Sequence, residues 1–430
     1  MRATQNAVII SPAKKLTGTL PAPPDKSCSH RALILCALAG GGEIYNLSNC
    51  LAVRKTIACL RQLGIGVKES GRNITVSAGE FSEPALPLDC GGSATTMRLL
   101  MGALAGLPVN ATLTGDAGLL ERPMEHIVKA LRKMGADIKT HDGNPPIAIR
   151  GRKLHATVCT LEKPSAQLKS AIILAALRAE GETRLAEPVK SRDHTERMLE
   201  FFSYPIKRRG SSITITGGQR LHSKPLHIPG DISSASFFAA AAAIIPGSSL
   251  VLKNIGLNPG RTGFMRALKK TGADVRICPS STEQFEPIGD ITVRHSPLKA
   301  IRVDKDEIPG MIDEIPLLAV VAAQAQGMTV INGLGELRGK ESDRIASICA
   351  MLSALGVRCE AAANSIKIHG PSKFRACKIS SYGDHRIVMA ASIAALAAEG
   401  PCEICDPELA EVSYPDFYRD LNNLTNAQKP

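Results

Sequence analysis

The 430-residue chain has no tryptophan, only five tyrosines and nine phenylalanines. A net charge of +12 and an isoelectric point near 9.2 would otherwise suggest nucleic acid as a partner. Without aromatics interleaved among the basic residues there is no platform for stacked bases, and no groove-reading motif appears. Long apolar runs are missing too: none reaches the roughly 18 residues of a membrane span, and no charged segment followed by a short apolar core opens the chain. Twelve cysteines are scattered without a pairing pattern, several inside helical stretches (Cys36, Cys59, Cys349), which fits reduced thiols in a cytoplasmic protein. Cys402 and Cys405 lie in an expected strand with no second pair, so they read as structural. No His or Cys set has metal-ligand spacing and no Ser-His-Asp arrangement is visible, so neither metal nor cofactor is expected.

What the chain does have is a sentence repeated six times. An Ala-rich apolar helix closes at Gly, then come a short strand, a second amphipathic helix and a hairpin. The first-helix copies read RALILCALAGG, TMRLLMGALAG, LKSAIILAALRAEG, ASFFAAAAAIIPG, EIPLLAVVAAQAQG and RIVMAASIAALAAEG, beginning near Lys26, Ser93, Ser165, Ser233, Asp313 and Asp384. Glycine after each is expected to supply a left-handed cap. These helices are apolar nearly all round and belong inside a layer; the second helices carry Lys and Arg on one face and belong outside. The class is therefore α/β, and six copies suggest two domains of three. The stiff stretch Leu20-Pro21-Ala22-Pro23-Pro24 and the turn at Pro229-Gly230-Asp231 suggest two crossings, giving domains 1–23 plus 229–430 and 24–228. The segment AVIISPAKKLTGTL reads as one strand of the C-terminal half.

Each buried helix starts beside Ser, Thr, Asp, Lys or Arg, so its free amides and positive dipole end favour an anion. Taken singly, such residues read better as caps. Lys26, Ser27 and Arg31 occupy one helix start. Gly92, Ala94 and Arg98 occupy another, where glycine permits close backbone approach. Arg122 precedes a Pro that opens a helix. In the C-terminal half, Asp313-Glu314, Lys340-Glu341-Ser342-Asp343-Arg344 and Asp384-His385-Arg386 set carboxylates beside bases. Arg344 and Arg386 suit bidentate recognition of phosphate or carboxylate, and Asp313 and Glu341 suit proton transfer. Asp343 and Asp384 read as caps paired with arginine.

Together, PDKSCSHRALILCAL, GGSATTMRLL, ERPMEHIVKAL, SAQLKSAIILAAL, GDISSASFFAAAA, GKESDRI, YGDHRIVMA and SYPDF resemble the 5-enolpyruvylshikimate-3-phosphate synthase family, in order from about Lys14 to Tyr418. The resemblance implies a two-domain inside-out α/β barrel, each domain three βαβαββ units with buried helices and the active site in the cleft between them. It implies a cytoplasmic monomer that transfers enolpyruvyl from phosphoenolpyruvate to shikimate 3-phosphate. On that resemblance the shikimate-phosphate site falls on Lys26, Ser27, Arg31, Ser165, Ala166, Gln167, Arg192, Asp313 and Lys340. The phosphoenolpyruvate site falls on Lys26, Gly92, Ala94, Arg98, Arg122, Gln167, Arg344, His385 and Arg386, with Glu341 adjacent. Lys26, Asp313 and Glu341 are then the catalytic residues.

Gly92, Ala94 and Ala166 depart from a common family pattern of Asn, Gly and Ser, and with Arg192 they resemble its glyphosate-tolerant branch. Val412 stands where some members have a lysine. A sister family acting on UDP-N-acetylglucosamine carries a reactive cysteine before its Arg-Pro, and the segment Gly115–Pro123 has none. A non-catalytic RNA binder is disfavoured by Asp313 and Glu341 at helix starts.

Overall fold

The structure is a computed structural model describing residues 6–281 and 284–426. The chain divides into two compact units. The C-proximal unit comprises Met1–Pro23, Gly230–Ser281 and Pro287–Pro430; the N-proximal unit comprises Pro24–Pro229 with Thr282–Glu286. Each unit has its own apolar core.

In the N-proximal unit the buried helices are Lys26–Leu38, Ala94–Ala105 and Ala166–Ala176. Each leads into an antiparallel set, as in the four-stranded sheet where Asn110–Thr114 pairs with Asn144–Arg150 and, in parallel, with Leu88–Asp89. In the first copy that parallel strand is Leu226–His227, supplied from the far end of the unit. In the C-proximal unit the buried helices are Ile232–Ile244, Ile315–Gln324 and His385–Ala395. Helix Ile232–Ile244 is buried along its whole length, as its run of alanines and phenylalanines requires. The outer helices bury one face only; Gly263–Lys270 covers Phe264, Met265, Ala267 and Leu268 and leaves its lysines to water.

Among the described residues the strands form separate sheets and no closed barrel, so the inside-out arrangement lies in the helices being enclosed, not in a continuous wall of strands. The N-terminal segment is two strands rather than one. Ala7–Ile10 pairs antiparallel with Cys402–Cys405, and Thr17–Pro21 pairs parallel with Ser249–Lys253 in another sheet. Pro12 lies between them, and a proline there cannot continue a ladder.

The chain also leaves the C-proximal unit at a point the two-crossing reading did not foresee. Phe285 belongs to the N-proximal core beside Phe201, and Glu286 Oε1 lies 2.7 Å from His194 Nδ1. These contacts span some 90 residues of chain and leave no local signature.

The left-handed glycine cap expected after every copy is not general: Ile232–Ile244 and Ile315–Gln324 end on extended Ile245 and Ala325, Ala166–Ala176 and His385–Ala395 end on right-handed Leu177 and Leu396, and Gly40, next to Ala39, alone supplies it among the described residues. Gly106 does not: its φ is −100°, and a Cβ there would sit 2.7 Å from Arg178 Cβ. Space, not handedness, selects glycine at that position. Gly102 is the closer case. A Cβ on it would lie 2.2 Å from the carbonyl oxygen of Ala171, so it lets helices Ala94–Ala105 and Ala166–Ala176 meet backbone to backbone.

Candidate active site

The first group of residues gathers at the helix starts of the N-proximal unit. Asp25 caps Lys26–Leu38 by accepting from Cys28 N at 2.8 Å, which leaves Lys26 and Ser27 on the opening turn. One turn in, Arg31 is buried. Its Nε donates to Thr195 Oγ1 (2.8 Å), Nη1 to the Ser27 carbonyl (2.9 Å) and Nη2 to Ser170 Oγ (2.9 Å). Burial lowers the Arg31 pKa, and the Arg192 charge adds to that against Cys28, Glu196 and Asp25. Arg31 and Arg192 thus share one electropositive field.

At the second helix start, Gly91 takes φ +53°, and a Cβ on Gly92 would meet the Asp116 carboxylate at 2.8 Å. Ser93 caps Thr96 N at 3.2 Å and Ala94 is buried. Arg98 Nη1 donates to Gln167 Oε1, and Gln167 Nε2 donates to Thr95 Oγ1 at 2.9 Å, so two helix starts are tied together. Ser165 caps Leu168 N at 3.3 Å, with half-buried Ala166 following. Arg122, half-buried, closes the short turn after Ala117–Leu120 with its N–H on Leu119 O at 3.1 Å.

Sequence reasoning missed what supports this group. Lys169, 1% exposed, lies 2.8 Å from both Glu187 and Glu196, and Glu187 Oε1 accepts from Ser191 N at 2.9 Å. The triad braces the loop that carries Arg192. A lysine inside the otherwise apolar SAQLKSAIILAAL was the available signal. His30 is fully buried with Nδ1 2.7 Å from Thr56 Oγ1. From Thr56 the hydroxyl chain continues through Thr96 to Ser93, each step 2.8 Å. Burial, then Lys26 and Arg31, holds the His30 pKa well below 6.5, and Asp25 opposes them, so the ring is neutral.

Asp25, Cys28 and His194 also bring one ligand-capable atom each within 4.8 Å of one another, a grouping absent from the sequence reading. His194 Nδ1 lies 3.6 Å from Cys28 Sγ and 2.7 Å from Glu286, so one ring nitrogen faces both groups.

The second group belongs to the C-proximal unit and centres on Arg344. That guanidinium, 1% exposed, has Asp384 at 2.8 Å, Glu341 at 2.6 Å and Asp313 at 3.6 Å. Burial opposes its charge, but Asp384, then Glu341 and Asp313, outweigh burial and raise its pKa. Asp384 is held below its usual range in spite of burial, chiefly by Arg344, and also caps its helix by accepting from Arg386 N at 2.8 Å. Asp343 caps Ile345 and Ala346 and takes Arg338 at 2.5 Å. Both aspartates therefore do the capping work expected of them. Asp313 sits in the 3₁₀ turn Ile312–Glu314, just ahead of helix Ile315–Gln324.

Burial lowers the Lys340 pKa, with Asp313 opposing and Arg344 adding to the effect. Arg386 is buried with its guanidinium 6.0 Å from the Phe237 ring centroid, and His385 is buried beside it. Among the described residues neither Lys340 nor Arg386 has an ion pair, so both keep charge for an anion. A cavity of about 420 Å³ in this unit, lined by Ile244, Gln324 and Leu396 among others, lies at the opposite, C-terminal ends of these helices and contains none of the candidate residues.

Comparison with known proteins places this arrangement. The family model described as EPSP synthase (3-phosphoshikimate 1-carboxyvinyltransferase) matches residues 10–421. The 3-phosphoshikimate 1-carboxyvinyltransferase of Bacillus licheniformis is 44% identical over 95% of this chain and 97% of its own length. That of Carboxydothermus hydrogenoformans is 44% identical over 97% and 99%. An EPSP synthase structure from Acinetobacter baumannii superposes with a TM-score of 0.87 at 39% identity, covering 98% of both chains. The enolpyruvyl transferase NikO of Streptomyces tendae, 19% identical with a TM-score of 0.80, shares the fold. The fold is thus that of an enolpyruvyl transferase. Within that class, the chain belongs to the EPSP synthase family.

Proposed function

We propose that this chain transfers the enolpyruvyl group of phosphoenolpyruvate to the 5-hydroxyl of shikimate 3-phosphate and releases phosphate, a step of aromatic amino acid biosynthesis. Family membership supports the reaction. The observation that carries the assignment of roles is the Arg344 centre, where Glu341 and Asp313 flank one buried cation at 2.6 and 3.6 Å. A guanidinium between two carboxylates favours their ionised forms, and an ionised carboxylate is what the substrate hydroxyl needs as a proton acceptor.

Asp313 takes that proton as the hydroxyl oxygen bonds to C2, which a proton delivered to the phosphoenolpyruvate methylene by Lys26 or Glu341 makes electrophilic. Glu341 and Lys26 serve the methyl carbon and the departing phosphate, and loss of a methyl proton with phosphate restores the double bond. Ser27, Arg31, Ser165, Ala166, Gln167, Arg192 and Lys340 receive shikimate 3-phosphate. Gly92, Ala94, Arg98, Arg122, Gln167, Arg344, His385 and Arg386 receive phosphoenolpyruvate, for which Arg386 and the helix-start amides supply positive charge. The protein acts as a cytoplasmic monomer, and Ala94 confers glyphosate tolerance. Among the described residues no helix is long and apolar enough to cross a membrane.

Phosphate release tests the reading. With phosphoenolpyruvate present, shikimate 3-phosphate should support turnover and UDP-N-acetylglucosamine should not; release with the sugar nucleotide alone would overturn it.

A further inference from the structure

Outside the site, Cys349 and Cys359 face each other with their sulfurs 2.9 Å apart. Cys349 lies in helix Arg344–Ala354, and Cys359 opens the strand Cys359–Ala361, which pairs on one side with Ser365–Gly370 and forms the edge of its sheet. Both are free thiols and both are half-buried, so a molecule the size of hydrogen peroxide reaches them. Cys59 and Cys402 also lie beside another thiol, Cys90 and Cys377, but each donates to backbone carbonyls as well, Cys59 to that of Asp89 and buried Cys402 to those of Arg375 and Gly400.

We infer that Cys349 and Cys359 form a reversible oxidation site, closing to a disulfide on exposure to peroxide and clamping the helix that carries Arg344 to the edge strand of its sheet. The separation has to shrink to about 2.05 Å, a change of roughly 0.9 Å that side-chain rotation can supply. The hydrogen bond between the two sulfurs draws the Cys349 thiol down and pushes the Cys359 thiol up, which makes Cys349 the attacking sulfur. Its thiolate attacks one peroxide oxygen, the O–O bond breaks and hydroxide leaves, giving a sulfenic acid. The Cys359 sulfur then attacks the Cys349 sulfur; the S–O bond breaks and water leaves with the thiol proton. Overall two thiols and one peroxide give one disulfide and two waters, two electrons passing from sulfur to peroxide.

Arg344 is five residues before Cys349, on the opening turn of the helix, and the closure displaces sulfurs rather than backbone. The clamp should therefore leave kcat/KM within about two-fold while raising the thermal midpoint by a few degrees, as a cross-link restraining the unfolded chain does. The test treats the full-length protein with hydrogen peroxide, quenches free thiols, and maps peptides without reductant. A Cys349–Cys359 cross-linked peptide lighter by two hydrogens, a raised midpoint, and reversal of both by dithiothreitol are expected. Cys359→Ser should give neither, its Cys349 ending as an oxygenated acid, and Cys349→Ser should likewise show no rise. Recovery of Cys349 from the parent as sulfinic or sulfonic acid, or an unreacted pair under conditions that oxidise exposed Cys278, would overturn the site. A cross-link without a raised midpoint would overturn the clamp.

Discussion

In the N-proximal unit Arg31 donates to the neutral oxygens of Thr195, Ser170 and a carbonyl, and Arg98 donates to Gln167. In the C-proximal unit Arg344 rests on Asp384, Glu341 and Asp313. Both units build their sites on the same repeat, at the capped N-termini of buried helices, so the difference lies in the partners. Cations on neutral partners keep their full field for a phosphate or carboxylate. A cation ringed by carboxylates has part of that field offset and also fixes the carboxylates, which suits proton transfer. On the proposed roles the C-proximal unit carries the two acid–base carboxylates, while the N-proximal unit, Lys26 apart, is suited to binding.

The largest expected effect tests that division directly. Asp313→Asn and Glu341→Gln keep shape and remove the proton acceptor, so turnover should fall by about 100- to 10,000-fold with shikimate 3-phosphate affinity largely kept. Near-normal turnover in either variant would remove that residue from its role, and an equal loss of affinity would assign it to binding instead.

Replacing the two buried arginines sharpens the contrast. Arg344→Met strands Asp384, a fully buried carboxylate, and should cost about 3–5 kcal/mol. Arg31→Met strands no such ring of charge, because Ser170 and Thr195 still bond each other at 2.7 Å, and should cost about 1–3 kcal/mol. Hydrogen exchange followed separately in the two units would read both. A larger loss at Arg31 would mean that neutral partners hold a buried guanidinium as dearly as carboxylates do.

Much of this was legible in the chain because capping is local. Asp25, Ser93, Ser165 and Asp384 announce their helices within three residues, and each accepts the amide the rule assigns. Periodicity likewise separates buried helices from half-buried ones. Partners distant in sequence were not legible. Arg344 meets Asp384 across 40 residues, Arg31 meets Thr195 across 164, and Glu286 joins His194 across 92. Nothing in a local pattern selects those pairs, nor the facing of Cys349 and Cys359, since tertiary packing decides them. The N-terminal segment misled for a related reason: Ala7–Ile10 and Thr17–Pro21 join different sheets, one antiparallel and one parallel, through partners far along the chain, and only Pro12 between them marks the break locally.

A smaller effect concerns the wall of the second helix start. Ala94 is buried at the opening of its helix, next to a turn where Gly91 and Gly92 keep the backbone bare. If its methyl excludes glyphosate, which is longer than phosphoenolpyruvate, Ala94→Gly should strengthen glyphosate inhibition by about 10- to 200-fold, the range one methyl group commands. Unchanged inhibition would leave Ala94 as a helix former only.

The smallest effect separates the units by pH. His30 is neutral in the folded N-proximal unit, with Thr56 on Nδ1 and the charges of Lys26, Arg31 and Asp25 around it, and its pKa lies well below 6.5. Unfolded, the same ring takes up a proton near pH 6.5. Below that pH the unfolded chain binds more protons than the folded one. The stability His30 contributes is therefore full above about 6.5 and is lost as pH falls toward its folded value, by up to about 1.4 kcal/mol per pH unit. Glu196, whose pKa burial raises against the pull of Lys169, works the other way as pH approaches its folded value, so the decline should flatten there. In the C-proximal unit Asp384 is depressed by Arg344, and its contribution is lost only below about 3.8. Hydrogen exchange between pH 7 and 5 should thus show helix Lys26–Leu38 loosening while helix His385–Ala395 holds. His30→Gln, which cannot titrate, should remove the slope in the first helix. An unchanged slope in that variant would mean that another group of the N-proximal unit takes up the proton.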